Sequence, residues 1–426
     1  MSLIRTSLLN AIAVAVKVGA AMVLNKILAV YVGPAGYAAI GQFQNAIAIA
    51  VSVAGGVIGP GVTKGTAEHF DDEPKQHAFW QTALKLTLVG TVIASITFIV
   101  ARTWLAAYLL QQHTMSTVFI GLALALPAIA INNLLLAILN GKKEVVTYVS
   151  ANIVGSLLSL GVVGGLTFQL GVYGALLGIA ISPAAVLIAT AALTARKKWI
   201  TVAAFRGKAD RQVLRELSGF GLMGLTAAIV APLSYIYIRD YLSATLGIQA
   251  AGYWQASWKI SEIYLMLITL TLSVYYLPRL AEIKVAAELK AEILKVYKFV
   301  LPVVIIGASI MYLLRDFIVH TLFSADFAPM RELFFWQLTG DVLKIGAWIL
   351  SYIMLGRAMI KPFIATEIIF AMSFCILTRV LVAQHGLSGV AMAYACNYAV
   401  YWLVMFYLVR GEMKIMHTES RISKPL

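Results

Sequence analysis

Charged residues are scarce in this sequence. Only 12% of its 426 residues are charged, while 61% are hydrophobic, whereas soluble domains carry about 25% charged residues. A chain with so little charge cannot enclose its apolar residues in one water-soluble core, so lipid must be its solvent. The net charge of +14 does not indicate nucleic-acid binding. Its basic residues lie in short clusters between apolar stretches and form no basic face on a soluble domain.

Cysteine is equally scarce, and no catalytic motif is present. The two cysteines, Cys375 and Cys396, lie in apolar stretches and provide neither a disulfide framework nor the spacing of metal ligands. No glycine-rich loop ends in Lys-Ser or Lys-Thr, which excludes direct use of ATP. The segments between apolar stretches are about 20 residues at most, too short for a catalytic domain. We therefore expect no metal, no cofactor, no nucleic-acid partner and no enzymatic activity.

Long apolar runs are what the sequence has in abundance. A helix that spans a bilayer needs roughly 20 predominantly apolar residues. Twelve such segments cover residues 8–31, 37–60, 82–101, 115–138, 146–169, 172–195, 217–238, 251–277, 296–314, 331–356, 362–382 and 387–409. The first is a retained span and not a signal peptide, because its run is long and Lys17 interrupts it. The pattern predicts an all-α polytopic membrane protein with twelve transmembrane helices.

Basic residues are distributed unequally between the two sides of these spans. With the N-terminus in the cytoplasm, the odd-numbered connections hold only Arg102, Arg239 and Arg315. The even-numbered connections and the C-terminal tail hold Lys64, Lys75, Lys142, Lys143, Arg196, Lys197, Lys198, Arg206, Lys208, Arg211, Arg215, Arg279, Lys284, Lys290, Lys295, Arg357, Lys361, Arg410, Lys414, Arg421 and Lys424. Because cytoplasmic loops carry an excess of Lys and Arg, both termini are predicted to be cytoplasmic.

Landmarks recur along the chain at nearly one offset. A shift of 215 superimposes GVYGALLGIAIS, which begins at Gly171, on GLSGVAMAYACN, which begins at Gly386. Similar shifts place Gly141 on Gly356, Lys64 on Arg279 and Ala35-Gly36-Tyr37 on Ala251-Gly252-Tyr253. Six spans separate the repeats, so we predict two halves in the same orientation with a substrate route between them. Their limits are an N-terminal six-helix lobe 1–198, a basic cytoplasmic linker 199–216, a C-terminal six-helix lobe 217–410 and a cytoplasmic tail 411–426.

Two lysines interrupt the first span. An ionisable group in the hydrocarbon region costs about 2.5–3.5 kcal/mol on insertion scales and needs a cavity or a partner. Lys17 falls near the middle of the span. Lys26 lies on the opposite side of a straight helix and closer to its outer end, where a lysine can extend to the interface. Lys17 is therefore the stronger candidate for lining a cavity.

Two later spans carry a polar stripe along one helix face. In the eighth span, Gln255, Lys259 and Glu262 follow i, i+4, i+7. In the tenth span, the positions i, i+4, i+7 and i+11 are Gln337, Asp341, Lys344 and Trp348. Two interpretations remain open. The stripes either form self-neutralising salt bridges, Lys259 with Glu262 and Asp341 with Lys344, or line a wet wall suited to sugars.

Other polar residues have more than one interpretation. Gln42 and Asn45, with Gln44, lie in the second span and either contact sugar hydroxyls or hydrogen-bond neighbouring helices. Arg331, at the outer end of the tenth span, is either interfacial or part of a gate. No histidine lies at mid-span, so the carboxylates Glu262, Asp341 and Glu367 are the candidates for proton coupling. Together these residues predict a secondary transporter with a cationic cavity for an anionic, sugar-containing substrate.

Several segments resemble a known family. They are MSLIRTSLLNAIAVAVKVGA, NKILAVYVGPAG, GVTKGTAEHF, LLRDFIVHTLF and MRELFFWQLTGDVLKIGAW. They are similar to the Wzx-type flippases of O-antigen and enterobacterial common antigen, within the multidrug/oligosaccharidyl-lipid/polysaccharide exporter superfamily. The likeness covers essentially the whole chain, favours the common-antigen (lipid III) type, and is most specific at the GDVLK stretch around Asp341.

The resemblance implies a V-shaped, alternating-access molecule of two six-helix lobes in the bacterial inner membrane. Its substrate would be an undecaprenyl-diphosphate-linked oligosaccharide, flipped to the periplasmic leaflet with coupling to an ion gradient. Basic residues on the first and eighth spans of related flippases correspond to Lys17, Lys26 and Lys259, although lysine binds phosphate as a point charge and not bidentately as arginine does. The resemblance also suggests partnership with a polymerase and a chain-length regulator, and we expect a monomer.

Two rival functions are weighed against this one. A drug or organic-cation antiporter of the same superfamily should have a net acidic cavity, whereas the mid-span charges here are rich in lysine. A membrane glycan polymerase or ligase typically needs a large periplasmic loop, which this topology lacks. The sequence thus predicts a lipid-linked oligosaccharide flippase in which Lys17, Lys259 and Lys344 neutralise the diphosphate or acidic sugars.

Overall fold

A computed structural model describes residues 3–195, 197, 199–283, 285–357 and 359–422. The predicted cytoplasmic residues Arg196, Lys198, Lys284 and Lys424, and with them the predicted lobe limit at 198 and the last residues of the tail, lie outside the described residues. Within the described part the chain is helical and contains no strand. The α-helices are α1 (Leu3–Val53), α2 (Gly59–Glu68), α3 (Glu73–Val100), α4 (Arg102–Leu110), α5 (Ser116–Gly141), α6 (Val145–Thr194), α7 (Val202–Phe205), α8 (Arg211–Leu246), α9 (Ile248–Thr271), α10 (Leu277–Glu282), α11 (Ala286–Leu313), α12 (Arg315–Leu322), α13 (Phe334–Gly356), α14 (Ile360–His385) and α15 (Ser388–Ile422).

Nine helical stretches within the described ranges are long and apolar enough to cross a membrane. Two of them hold two predicted spans each, because α1 and α6 are broken at single glycines. Gly33 has φ 64° and ψ −176°, and Gly171 has φ 57° and ψ −132°; these are conformations that residues with a side chain rarely adopt. The eighth predicted span, 251–277, is not among these nine stretches and lies on α9 and the π-helical turn Leu272–Tyr276. The prediction of an all-α polytopic membrane protein is confirmed.

Helix ends differ from the sequence prediction at three places. The second predicted span runs to residue 60, but α1 ends at Val53 and Gly55 turns the chain with φ 97°. The tenth begins later than expected, since residues Ala325–Leu333 form a 3-10 helix. Arg239 was assigned to a connection and instead lies inside α8, 2% exposed. Its burial is possible because Gln255 accepts a hydrogen bond from its guanidinium, which lies 5.2 Å from the Trp254 ring.

The chain divides into two compact units, Met1–Ile236 and Tyr237–Leu426. This boundary falls inside α8, whereas the sequence ended the linker at residue 216, six residues into that helix, so the lobe limits 1–198, 199–216 and 217–410 stay predictions. In unit 1, α6 packs against α1 and α5, and α5 packs against α3. In unit 2, α13 packs against α15 and α11, and α14 packs against α15.

The two units repeat one backbone feature at the predicted offset. Gly171 has φ 57° and ψ −132°, and Gly386, between α14 and α15, has φ 60° and ψ −138°. Three residues further on, a Cβ at Gly174 would lie 1.9 Å from the carbonyl oxygen of Leu166, and a Cβ at Gly389 would lie 2.2 Å from that of Leu381. Both glycines are thus required for the same close approach of backbone to helix, which is the physical basis of the repeat seen in the sequence.

Candidate functional site

A buried carboxylate lies at the centre of the polar residues of unit 2. Asp341, on α13, is 0% exposed and accepts three hydrogen bonds. Ser261 Oγ and Tyr264 Oη donate to its Oδ2 at 2.6 and 2.9 Å, and Tyr394 Oη donates to its Oδ1 at 2.9 Å. A buried charge is stable only when its lone pairs are satisfied. One carboxylate thereby ties α9, α13 and α15 together.

The rest of the stripe on α13 extends this network. Gln337, predicted as a sugar contact, is 1% exposed and its Nε2 donates to Ser261 Oγ at 3.2 Å. A Cβ at Gly340 would lie 2.2 Å from Tyr394 Cδ1, so glycine at this position is what allows the tyrosine ring to reach Asp341. Sequence reasoning missed Ser261, Tyr264 and Tyr394. Ser261 and Tyr264 share a helix face at i, i+3 on α9, a signal that periodicity alone could have found.

Lys344 lies among four aromatic rings. Its Nζ is 5.1 Å from the centroid of Trp258, 4.7 Å from Trp348, 5.9 Å from Tyr394 and 5.7 Å from Tyr398, all within the range of cation–π attraction. We call these four residues the aromatic cage. In the described part of the chain Lys344 has no ion pair within 4.0 Å, so the salt bridge with Asp341, one of the two interpretations left open by the sequence, does not form. The predicted contact residue Trp348 is one wall of the cage.

The other salt bridge of that interpretation, Lys259 with Glu262, is present. Lys259 Nζ lies 2.8 Å from Glu262 Oε2, and Trp258 Nε1 donates to Glu262 Oε1 at 3.2 Å. Glu262 therefore links the Lys259 pair to the aromatic cage. Lys344 is also attracted electrostatically by Asp341, Glu262 and Glu367. The lysines and acids of unit 2 thus form one charge cluster, in which Lys259 already has a partner.

Three further predicted residues of unit 2 lie apart from this network. Gln255 is 4% exposed and accepts a hydrogen bond from the buried Arg239. Glu367, on α14, is half-buried. Arg331 lies in the 3-10 helix before α13 and pairs with Asp316 at 3.0 Å, so it bridges two short helices at one end of the unit.

In unit 1, Lys17 is exposed and lines an open cavity of about 300 Å³ between α1, α5 and α6. The polar residues of its wall are Asn132, Asn152, Ser156 and Ser159, and most others are small or aliphatic. Asn132 is 6% exposed, and its Oδ1 has no hydrogen-bond partner among the described residues. The wall contains no carboxylate, so the Lys17 charge is not neutralised there. The sequence predicted Lys17 but none of its polar neighbours, which come from two other helices.

The remaining predictions in unit 1 point to helix packing. Gln42 is 6% exposed and its Nε2 donates to the carbonyl of Ile236 at 3.1 Å. Lys26 is half-buried and follows Asn25, which accepts a hydrogen bond from Tyr37. Asn45 is half-buried, and its Nδ2 has no partner among the described residues. No group of three His, Cys, Asp or Glu side chains in the described ranges is placed to hold a metal ion.

Comparison with known proteins agrees with this architecture. The model of the polysaccharide biosynthesis protein family matches residues 3–284. The lipid III flippases of Escherichia coli K12 and Shigella flexneri are each 35% identical over 407 residues, which is 94% of this chain and 97% of theirs. The resemblance to lipid-linked oligosaccharide flippases is therefore confirmed.

Solved transporter structures share the fold. An inward-facing MATE family multidrug resistance transporter of the MOP superfamily superposes with a TM-score of 0.78 at 17% identity, covering 94% of this chain and 96% of its own. Its outward-facing counterpart gives a TM-score of 0.71, also at 17% identity, covering 95% and 96%. These relatives and neighbours are transporters, in agreement with the prediction that this multi-pass membrane protein is not an enzyme. The chain belongs to the polysaccharide biosynthesis protein family.

Proposed function

We propose that this protein is a flippase that moves an undecaprenyl-diphosphate-linked oligosaccharide from the cytoplasmic to the periplasmic leaflet of the bacterial inner membrane. The observation that carries this proposal is the 35% identity, over 94% of the chain, to proteins named lipid III flippase. A lipid III or O-antigen unit is the corresponding substrate class. The charges and polar walls of the two units support it.

The cavity around Lys17 suits the anionic part of such a substrate. Its volume of about 300 Å³ is at the lower end of small-molecule sites. A lysine whose cavity holds no carboxylate attracts phosphate as a point charge. The amides of Asn132 and Asn152 and the hydroxyls of Ser156 and Ser159 can exchange hydrogen bonds with sugar hydroxyls or phosphate oxygens. We assign Lys17 the leading role in neutralising the diphosphate.

Lys344, inside the aromatic cage, supplies a second cationic position. Lys344 is held by ring faces and not by a carboxylate within 4.0 Å among the described residues, so an acidic sugar or phosphate can approach its charge without first breaking an ion pair. Lys259 is bound to Glu262 and must leave that partner to bind substrate. Lys344 therefore ranks before Lys259, and Lys26, Gln42 and Asn45 rank lower.

Asp341 is the strongest candidate for coupling transport to an ion gradient. Protonation would remove the negative charge to which Ser261, Tyr264 and Tyr394 donate, and would weaken the links between α13, α9 and α15. A carboxylate that ties three helices can thus convert protonation into helix movement. Glu262 and Glu367 are the alternative carboxylates. Arg331 with Asp316 would act as a gate at one end of the unit.

The remaining elements of the proposal follow from the same family. The proposal includes alternating access between two lobes, with both termini in the cytoplasm and the protein a monomer. It also includes a polymerase and a chain-length regulator that act on the flipped product. The rival is a drug or organic-cation antiporter, which shares the fold. A measurement of which substrate is transported must distinguish a flippase from an antiporter.

The decisive measurement is translocation of a labelled undecaprenyl-diphosphate oligosaccharide in proteoliposomes. Wild type should flip it, while Lys17→Ala and Lys344→Ala should each lose most of the activity. Lys85→Ala is the matched control, because Lys85 is an exposed lysine of α3 outside the cavity and the cage. Equal flipping by all variants would make both lysines structural. No flipping by wild type, with export of organic cations, would favour the antiporter.

A further inference from the structure

Residues 199–211, which lead into α8, form a folded segment held against α3. We call residues 199–211 the basic segment. The Trp199 and Phe205 rings lie 5.5 and 5.8 Å from the ring of Trp80, which is fully buried in the core of unit 1. Ala204, between them, is also fully buried. Apolar burial thus fixes both ends of α7 on the body of unit 1.

Polar contacts to α3 fix the same segment. Gln81 Nε2 donates to the carbonyls of Ala203 and Arg206 at 3.3 and 3.4 Å, and Thr82 Oγ1 accepts from the backbone N–H of Asp210 at 2.9 Å. A Cβ at Gly207 would lie 1.9 Å from Gln81 Oε1. The backbone of the segment therefore packs directly against the Gln81 side chain at this point.

This anchored segment presents a row of cations. Arg206, Lys208 and Arg211 are exposed, and none of them forms an ion pair within 4.0 Å in the described ranges. Val202, in the same segment, is 79% exposed. Three cations and an aliphatic side chain do not need buried aromatic rings to hold them in place if they only contact water. The anchoring therefore indicates a binding partner.

We propose that the basic segment binds the headgroups of anionic phospholipids in the bilayer that the chain spans. The segment joins the end of one membrane-spanning helix, α6, to the start of another, α8, and basic clusters next to a spanning helix attract anionic lipids. An exposed aliphatic side chain among cations is typical of elements that lie in the interface. The positive charge of the segment is complementary to anionic headgroups of the bilayer, which surrounds every copy of the protein. The basic segment is separate from the proposed transport site, and the proposal does not depend on that site.

The test is thermal unfolding of the purified full chain in detergent with added phosphatidylglycerol or phosphatidylcholine. Phosphatidylglycerol should raise the melting temperature of wild type by several degrees more than phosphatidylcholine does. The variant R206Q/K208Q/R211Q should lose most of that difference, while R206K/R211K should keep it. The matched control K290Q/K298Q/K361Q removes the same charge from exposed lysines elsewhere, none of which forms an ion pair within 4.0 Å in the described ranges, and should also keep it.

Two results would overturn the proposal: full retention of the phosphatidylglycerol effect by the triple glutamine variant, or an equal loss in the control. Equal stabilisation by inorganic phosphate would also overturn it, because the ligand would then be a phosphate group and not a lipid surface. If the triple variant fails to fold, wild type in 1 M salt gives the same test. The Debye length there is about 3 Å, so the lipid-specific difference should vanish, and its persistence would contradict the proposal.

Discussion

The two units share a backbone plan and differ in chemistry. The positive-φ glycines Gly171 and Gly386, and the close approaches at Gly174 and Gly389, recur at an offset of 215 residues. Yet the cavity of unit 1 contains Lys17 with amides and hydroxyls, while unit 2 contains three carboxylates near a caged lysine. The repeat has kept the residues that shape the backbone and changed those that carry charge.

The clearest difference is where acids occur. In unit 1 all aspartates and glutamates lie at residues 68–73, 144 and 210–216, outside the predicted spans. In unit 2, Glu262, Asp341 and Glu367 lie inside them. The shift of 215 places Asn152, of the unit 1 cavity, on Glu367. This difference supports the proposal that unit 1 binds the anionic part of the substrate and that unit 2 supplies the groups that take up protons.

The largest effect is expected at Asp341, which has no counterpart in unit 1. Asp341→Ala removes the acceptor of three buried hydroxyl donors. Leaving buried polar groups unpaired should lower the free energy of unfolding by about 2–4 kcal/mol, measured by denaturation in detergent. Asp341→Asn keeps an acceptor oxygen and should cost less. Glu262→Ala is the control, since the Glu262 side chain is 52% exposed. An equal loss in the control would show that the Asp341 network contributes nothing special.

A second prediction tests whether the repeated glycines do the same work. Gly174→Ala and Gly389→Ala should each lower the free energy of unfolding by about 1–3 kcal/mol, as overpacking does. Gly161→Ala in α6 and Gly307→Ala in α11 are the controls, because a Cβ at either meets nothing within 4 Å. These two should be neutral or should stabilise the helix by up to about 1 kcal/mol. A large effect at only one glycine of the pair would break the structural equivalence of the units.

A third prediction concerns the equivalent positions 152 and 367, where a carboxylate is introduced into unit 1 and removed from unit 2. Asn152→Asp puts a carboxylate in the Lys17 cavity and should lower the flipping rate about tenfold, or roughly 1.4 kcal/mol, because it competes with the anionic substrate. Glu367→Gln should reduce the stimulation of flipping by a pH gradient only if Glu367, the alternative to Asp341, is the coupling carboxylate; with Asp341 in that role the stimulation should persist. Both are measured in proteoliposomes with and without a gradient. Asn152→Ala separates charge from lost hydrogen bonding, and an effect equal to that of Asn152→Asp would contradict the electrostatic explanation.

Sequence patterns found the residues of one helix face and missed what lies opposite. The i, i+3 spacing placed Lys259 beside Glu262, and they pair at 2.8 Å. The same spacing suggested Asp341 with Lys344, but Asp341 bonds to hydroxyls on α9 and α15, and Lys344 lies among rings of α9, α13 and α15. Tyr394 reaches Asp341 only because Gly340 makes room for its ring. Periodicity within a helix therefore identifies polar faces, while the pairing of faces depends on tertiary packing.

Backbone features were more predictable than charges. The repeat was visible in the sequence because glycines at positive φ tolerate no replacement without strain. The burial of Arg239 was not visible, since a single arginine after an apolar run is also typical of a span end. Hydrogen bonding to Gln255 and stacking on Trp254 decide its position, and neither contact leaves a periodic signal in its own helix.

The smallest predicted effects concern one pair of equivalent helices, α3 and α11. Asp72 caps α3 by accepting a hydrogen bond from the backbone N–H of Lys75 at 3.2 Å, and its carboxylate pairs with the Lys75 ammonium at 3.1 Å. These two contacts lower the pKa of Asp72 below its usual value of 3.8. Because the pKa is depressed in the folded state, the stabilisation is present above that value and is lost as the pH falls through the depressed pKa. Asp72→Ala should therefore lower the melting temperature slightly at neutral pH and not at strongly acidic pH; a pH-independent difference would contradict this.

The equivalent helix in unit 2, α11, has no side chain among the described residues that caps its N-terminus as Asp72 caps α3. Introducing such a cap is the reciprocal test of the equivalence of the two helices. α11 follows Val285, whose extended backbone (φ −105°, ψ 129°) suits an N-cap residue but whose side chain offers no acceptor. Val285→Asp should raise the free energy of unfolding by about 0.5–1 kcal/mol, helped by the favourable interaction of an acid with the helix N-terminus. Val285→Ala is the control and should be close to neutral, since the side chain is 48% exposed. If Val285→Asp does not stabilise the protein above the pKa of the new carboxyl, then the two helices begin in different environments, and the equivalence of the units does not extend from the glycine positions to their helix ends.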